Sequence, residues 1–112
     1  MSMPADYILP DLKAVDRDSA IYEMLRHLIH IGVIQPQFEK SLFDALLQRE
    51  SVLTTGIGFG LAFPHTSSEA VSKKITILGR SRTGIDFSSL DGKSAKEIYL
   101  MISPVTHETN TA

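Results

Sequence analysis

His65 is the side chain in this sequence best placed to react. It closes the segment Thr54-Thr55-Gly56-Ile57-Gly58-Phe59-Gly60-Leu61-Ala62-Phe63-Pro64-His65, in which three alternating glycines precede a short apolar run and a proline. A neutral imidazole, with an unperturbed pKa of about 6.5, has a nucleophilic ring nitrogen near pH 7 and can accept a phosphoryl group and pass it on. Glycines at 56, 58 and 60 allow backbone conformations that bring N–H groups close to an anion, and Pro64 fixes the approach to the ring. The pattern suggests a cradle for a phosphoryl group beside His65; a tight loop that binds nothing is the ordinary alternative.

Arg49 could hold a phosphoryl oxygen through its planar guanidinium and reduce the repulsion between two anionic proteins. Its ordinary role would be that of a basic residue favoured at a helix C-terminus. Thr54 and Thr55 offer hydroxyls to the same oxygens or to the imidazole, or serve simply as turn residues. Other chemistries fit less well. The glycine spacing is not that of a dinucleotide fingerprint, and no Gly-Lys-Ser/Thr follows to make a nucleotide P-loop. His27 and His30 are one helical turn apart, a spacing compatible with chelation, yet no acidic partner completes a ligand set. Ser67 and Ser68 lack the elbow motif of a serine hydrolase.

The elements that must position these residues can be read from the apolar pattern. Asp16 and Asp18 offer capping oxygens to a helix with apolar positions at Ile21, Met24, Leu25, Leu28 and Ile29, which Gly32 can end. A second helix starts near Pro36, with Phe38, Leu42, Ala45 and Leu46 toward the core and Arg49-Glu50 at its C-terminal end, just before the glycine turn. Leu61-Ala62-Phe63 predicts a short strand, Lys74 to Gly79 a longer one, and Ile98 to Ile102 a final buried strand before Pro104. Thr83-Gly84 and Asp91-Gly92 are turn signals around Ile85-Asp86-Phe87. No repeat or linker divides the chain, so residues 1–112 read as one domain.

Composition narrows the function classes. The 112 residues are 43% apolar with a formal net charge of −2, and their 11 basic and 13 acidic side chains are interspersed. No basic stripe suggests nucleic acid, and no polybasic patch or apolar run of about 18 residues suggests a membrane. The absence of cysteine excludes disulfides, thiolate zinc sites and a cysteine nucleophile. With no signal-peptide pattern at the N-terminus, the expected location is the cytoplasm and the expected partner is a protein or small anion.

Taken together, the residues resemble enzyme IIA of the fructose, mannitol and nitrogen-regulatory type in the bacterial phosphotransferase system. The likeness is carried by Arg49-Glu50 followed by Thr55-Gly56-Ile57-Gly58-x-Gly60-x-Ala62-x-Pro64-His65, then by Gly84-Ile85-Asp86-Phe87, Asp91-Gly92 and Pro104. It implies an α/β fold, a mixed β-sheet flanked by helices. It also implies that His65 is phosphorylated on Nε2 by the carrier HPr or its nitrogen-branch counterpart and discharged to a IIB domain or regulatory target, with Arg49 near the site. Thr54, Thr55, Gly56, Gly58 and Gly60 would bind or position the phosphoryl group, with no cofactor and no metal.

Family members continue past the proline-containing loop with a His-Leu pair and further helices, so the fold is expected to be C-terminally truncated. His107 comes earlier after Pro104 than the family's second histidine. Thr66 and Phe63 depart from the residues usual at their positions. Uncovered sheet surface would leave room for another chain, a homo-oligomer included. The competing class is a regulatory binding module that keeps the fold and signals by protein contact; a metal-dependent enzyme built on His27 and His30 is a third.

Overall fold

Asp16 starts the first helix in the way its sequence position predicts. In the computed structural model, which describes residues 4–105, its side chain accepts the Ser19 backbone N–H at 2.8 Å and the Ser19 hydroxyl at 3.0 Å. Those two bonds, the backbone one first, hold the Asp16 carboxyl below its ordinary pKa. Helix α1 (Arg17–His30) buries Ala20, Ile21, Met24, Leu25 and Leu28 along one stripe. It ends where Gly32 takes a left-handed φ of 82°. A 3₁₀ turn at Pro36–Phe38 leads into α2 (Glu39–Val52), whose buried positions are Leu42, Leu46 and Glu50. Ala45, expected toward the core, is only half-buried.

Among the described residues, six strands form one mixed sheet: β1 (Ile8–Leu9), β2 (Gly56–Gly58), β3 (Leu61–Ala62), β4 (His65–Ser68), β5 (Ile75–Ile85) and β6 (Ala95–Pro104). The order is β1-β5-β6-β3-β2, with β4 also against β6. Strands β5 and β6 are antiparallel, with Ile77 opposite Leu100 and Gly79 opposite Ile98. Both β3 and β4 run parallel to β6, so they act as two halves of one neighbouring strand interrupted at Phe63-Pro64. Proline there has no N–H to give to a ladder, which fits the break.

Alternation along β6 places Ile98, Leu100 and Ile102 in the core with Ile77, Leu28 and Leu46, and leaves Tyr99 and Met101 half-buried on the opposite face. The expected mixed sheet with helices is therefore present. Gly79 belongs to this core for a packing reason: a Cβ there would come within 2.9 Å of both Leu12 and Met24.

Three local expectations change. Thr83-Gly84 is not a turn, because β5 runs on to Ile85; the register shifts between Arg80 and Ile85, and Gly84 has φ 88°. The turn signal is thus an irregularity inside a long strand. Gly56–Gly58 is a strand, and so is the polar His65–Ser68, because tertiary pairing with β3 and β6 outweighs weak intrinsic preference. Among the described residues, no helix is long and apolar enough to cross a membrane. His107 and the rest of 106–112 lie outside the described residues.

Candidate active site

The glycine segment is a hairpin. Strands β2 and β3 are joined through Gly58, Phe59 and Gly60, with φ values of 100°, 60° and 75°. Glycine suits the two flanking positions, while Phe59 takes a left-handed conformation uncommon for a bulky residue. Asp91 holds it there: its Oδ2 accepts the Phe59 N–H at 3.0 Å and its Oδ1 accepts the Lys93 N–H at 3.0 Å. The Gly56 N–H donates to the Thr54 hydroxyl at 2.9 Å. The amides of Gly56 and Phe59 are thus engaged within the protein, and at these two positions the hairpin acts as a frame.

The two hydrogen bonds from Lys93 and then Phe59 lower the Asp91 pKa. A depressed folded value means that this hold is fully present above the unfolded carboxylate pKa of about 3.9 and is lost as pH falls through the folded one. The Phe59 amide resonance is expected to titrate with an apparent pKa below the ordinary aspartate value. A midpoint at or above that value would contradict the assignment.

Thr54 and Thr55 are likewise committed to the fold. The Thr54 hydroxyl donates to the Phe87 carbonyl. The Thr55 hydroxyl donates to Glu50 Oε1 at 2.8 Å, and the Thr55 N–H donates to Glu50 Oε2 at 2.8 Å. Neither hydroxyl is directed to the imidazole. The carbonyl of Thr55 accepts the Phe63 N–H at 3.0 Å, which ties β2 to the residue two before His65.

His65 opens β4 with an exposed side chain. It is in register with Met101, and the Met101 N–H donates to the Pro64 carbonyl at 2.9 Å. Register partners share a sheet face, so the ring lies on the half-buried side with Met101. Its Nδ1 is 2.8 Å from the Phe63 carbonyl oxygen. A carbonyl can only accept, so Nδ1 carries a proton, and in the neutral ring Nε2 is then the nitrogen with the lone pair. Phe63 is itself held by stacking on Tyr99, with ring centroids 5.3 Å apart and an interplanar angle of 14°.

Arg49 sits in the last turn of α2, which packs against β4, so the structure carries Arg49 and His65 on neighbouring elements. Arg49 Nη1 donates to the Leu53 carbonyl at 2.6 Å. That is the helix-terminal role allowed by its position, and it leaves other guanidinium donors. Val52, Leu53, Ile57, Phe59 and Leu90 are exposed apolar side chains, Phe59 at 90%.

The two helix histidines lie elsewhere: His27 Nε2 is 2.7 Å from the Asp6 carbonyl oxygen. Among the described residues no group of three or more histidine or acidic side chains is arranged to hold a metal. The residue that sequence reasoning passed over is Glu50. In the sequence it has a place at a helix end and in the Arg49-Glu50 pair of the family pattern but no role of its own, whereas its spacing of four from Leu46 and eight from Leu42 is the signal that it faces inward.

Known proteins place this geometry in context. The family described as "Phosphoenolpyruvate-dependent sugar phosphotransferase system, EIIA 2" matches residues 1–112. A protein of Haloferax volcanii named "PTS system fructose-specific EIIA component" is 35% identical over 101 residues, covering 90% of this chain and 64% of that protein. A "Nitrogen regulatory protein" of Bradyrhizobium diazoefficiens is 33% identical over 97 residues, covering 87% of this chain and 61% of that protein. This chain therefore spans a little over three fifths of the length of these relatives. Among solved structures, enzyme IIAMTL of Escherichia coli, in complex with phosphorylated enzyme IIBMTL, superposes with a TM-score of 0.75 at 22% identity. That likeness of fold covers 95% of this chain and 73% of the other.

Proposed function

The chain belongs to the EIIA 2 family of the phosphoenolpyruvate-dependent sugar phosphotransferase system, and from that premise we propose that it is a phosphoryl carrier whose acceptor atom is Nε2 of His65. The donor is an HPr-type phosphocarrier or its nitrogen-branch counterpart. The recipient is a IIB domain or a regulatory target. The observation that carries this reading is the bond between His65 Nδ1 and the Phe63 carbonyl at 2.8 Å, which makes Nε2 the lone-pair nitrogen of the neutral form of an exposed ring.

In the proposed step the Nε2 lone pair attacks the phosphorus of the donor's phosphohistidine. A new P–N bond forms as the donor's P–N bond breaks, and that electron pair returns to the donor ring. The proton stays on Nδ1, stabilised by the Phe63 carbonyl as the ring gains positive character. Arg49 offsets the phosphoryl charge with guanidinium donors left free by Leu53, and the contribution of the site is mainly orientation and electrostatics. Thr54, Thr55, Gly56, Gly58 and Gly60 position the ring through the hairpin and its ties. The exposed Val52, Leu53, Ile57, Phe59 and Leu90 suit a carrier that must dock another protein repeatedly. The family resemblance implies that a IIB domain takes the group on a cysteine; this chain has none, so a IIB recipient is another polypeptide segment, met in the cytoplasm.

A second reading rests on the relative named as a nitrogen regulatory protein: the phosphorylation state of His65, or the fold alone, is read by a bound regulatory target. Incubation with phosphoenolpyruvate, enzyme I and HPr tests the carrier. Intact mass is expected to show one phosphoryl addition that is lost in acid. A folded chain that stays unlabelled would overturn the carrier reading and leave the binding module.

A further inference from the structure

Glu50 occupies a place on α2 where the helix otherwise buries leucine, in phase with Leu42 and Leu46 and only 4% exposed. A carboxylate in such a place is costly unless hydrogen bonds replace its water. Its two short hydrogen bonds both come from the next turn of chain, the Thr55 N–H at 2.8 Å and the Thr55 hydroxyl at 2.8 Å, while the Thr54 hydroxyl, whose proton goes to the Phe87 carbonyl, lies 3.5 Å away. If position 50 served only to fill space, an apolar side chain would continue the stripe without this cost. What the carboxylate supplies beyond volume is a fixed backbone at Thr55.

We propose that Glu50 is the positioning residue for the His65 ring: it fixes Thr55, whose carbonyl holds the Phe63 N–H, and the Phe63 carbonyl in turn fixes His65 Nδ1–H. Each intermediate residue is pinned at both its amide ends. Thr55 gives its N–H to Glu50 and its C=O to Phe63; Phe63 gives its N–H to Thr55 and its C=O to His65. The stacking of Phe63 on Tyr99 restrains it further. The links pass through successive peptide units that are not conjugated with one another, so the effect is geometric. An acceptor oxygen held at 2.8 Å selects the tautomer protonated on Nδ1. The other tautomer would put a proton on the nitrogen that has to attack. This assignment rests on the carrier reading for the importance of Nε2, but the tautomer itself can be measured without any phosphoryl transfer.

The test is ¹⁵N NMR of the imidazole nitrogens in the whole chain, with His65 assigned by the signal that His65→Ala removes, alongside the rate of phosphoryl incorporation from phosphorylated HPr. Wild type is expected to hold the Nδ1–H tautomer. Folded Glu50→Ala is expected to populate both tautomers and to incorporate phosphate about 10- to 100-fold more slowly, the scale of a small misplacement of a reacting group. Glu50→Gln can accept the Thr55 N–H with its carbonyl and donate to the Thr55 hydroxyl, so it should recover the tautomer and most of the rate. A role in packing alone would not predict that rescue together with a tautomer change.

If Glu50→Ala does not fold, Thr55→Val takes its place, because it removes one of the two short bonds and leaves the carboxylate. A wild-type tautomer and rate in whichever of the two is folded would overturn the proposal. Tautomer mixing in Glu50→Ala, found while the wild-type chain takes no label or takes it away from His65, would uphold the positioning role and sink the carrier reading instead.

Discussion

Alanine at position 65 is expected to abolish acid-labile phosphoryl incorporation while leaving the fold intact. The expected loss is complete, because the substitution removes the proposed acceptor atom itself. The structural effect should be small for two reasons. The His65 side chain is exposed, and β4 is held to β6 through backbone pairing of His65 with Met101 and Thr66 with Ile102, which alanine can also make. Only the bond from Nδ1 to the Phe63 carbonyl is lost, worth about 1 kcal/mol or less at an exposed position. Intact mass before and after acid treatment, with thermal unfolding on the same sample, checks both halves. Label that persists in folded His65→Ala would move the acceptor to another side chain, with His27, His30 and His107 the first to replace. Lost label accompanied by a collapse in stability would instead mean that position 65 is structural, and the carrier reading would lose its main support.

Which parts of this arrangement were legible in the sequence follows from how local their causes are. Asp16 as a cap, the α1 stripe from Ile21 to Leu28 and the stop at Gly32 depend on residues within a few positions of one another, and each lies where the pattern put it. Strand β4 could not be read this way. His65-Thr66-Ser67-Ser68 has neither alternation nor an apolar face, and it is a strand because Met101 to Pro104 lies beside it. The same holds for Gly56–Gly58, where two glycines of poor strand preference flank Ile57 and pair with Leu61 and Ala62.

At the site, the residue types named the chemistry but not the division of labour. Spacing alone offered the glycine amides and threonine hydroxyls to an anion. Of the partners that take up the Gly56 and Phe59 amides and the two hydroxyls, Phe87 and Asp91 are set by long-range packing, whereas Glu50 and Thr54 are local. Glu50 was the exception that a helical phase could have revealed, since a carboxylate four residues beyond a buried leucine asks for a partner.

Gly56→Ala is the second substitution with a large expected effect, and its cause differs from that of the neighbouring glycines. Gly58 and Gly60 have left-handed φ, whereas Gly56 does not. Its constraint is a close approach: a Cβ at 56 would come within 2.3 Å of Ser89 Oγ, 3.0 Å of Phe87 Cβ and 3.2 Å of Ser89 Cα. Rotation of the Ser89 hydroxyl relieves the first contact but neither of the others, so β2 and the 87–90 segment must separate. They are joined by the Leu90 N–H on the Gly56 carbonyl at 3.2 Å and by the Thr54 hydroxyl, which bonds to both the Gly56 N–H and the Phe87 carbonyl. Overpacking of this kind costs about 1–3 kcal/mol. The displacement should also reach Thr55 and, through its carbonyl, Phe63 and the His65 ring, slowing incorporation by about 10-fold or more.

Denaturant unfolding and the labelling rate measure the two effects, and wild-type values of both would contradict the close approach. Ser89 supplies the internal control. Its hydroxyl is buried without a hydrogen-bond partner among the described residues, so Ser89→Ala alone should be close to neutral or slightly stabilising. In that background the oxygen nearest the new methyl is gone, and Gly56→Ala should cost measurably less than it does in wild type. Strict additivity of the two substitutions would place the strain outside the Gly56–Ser89 contact.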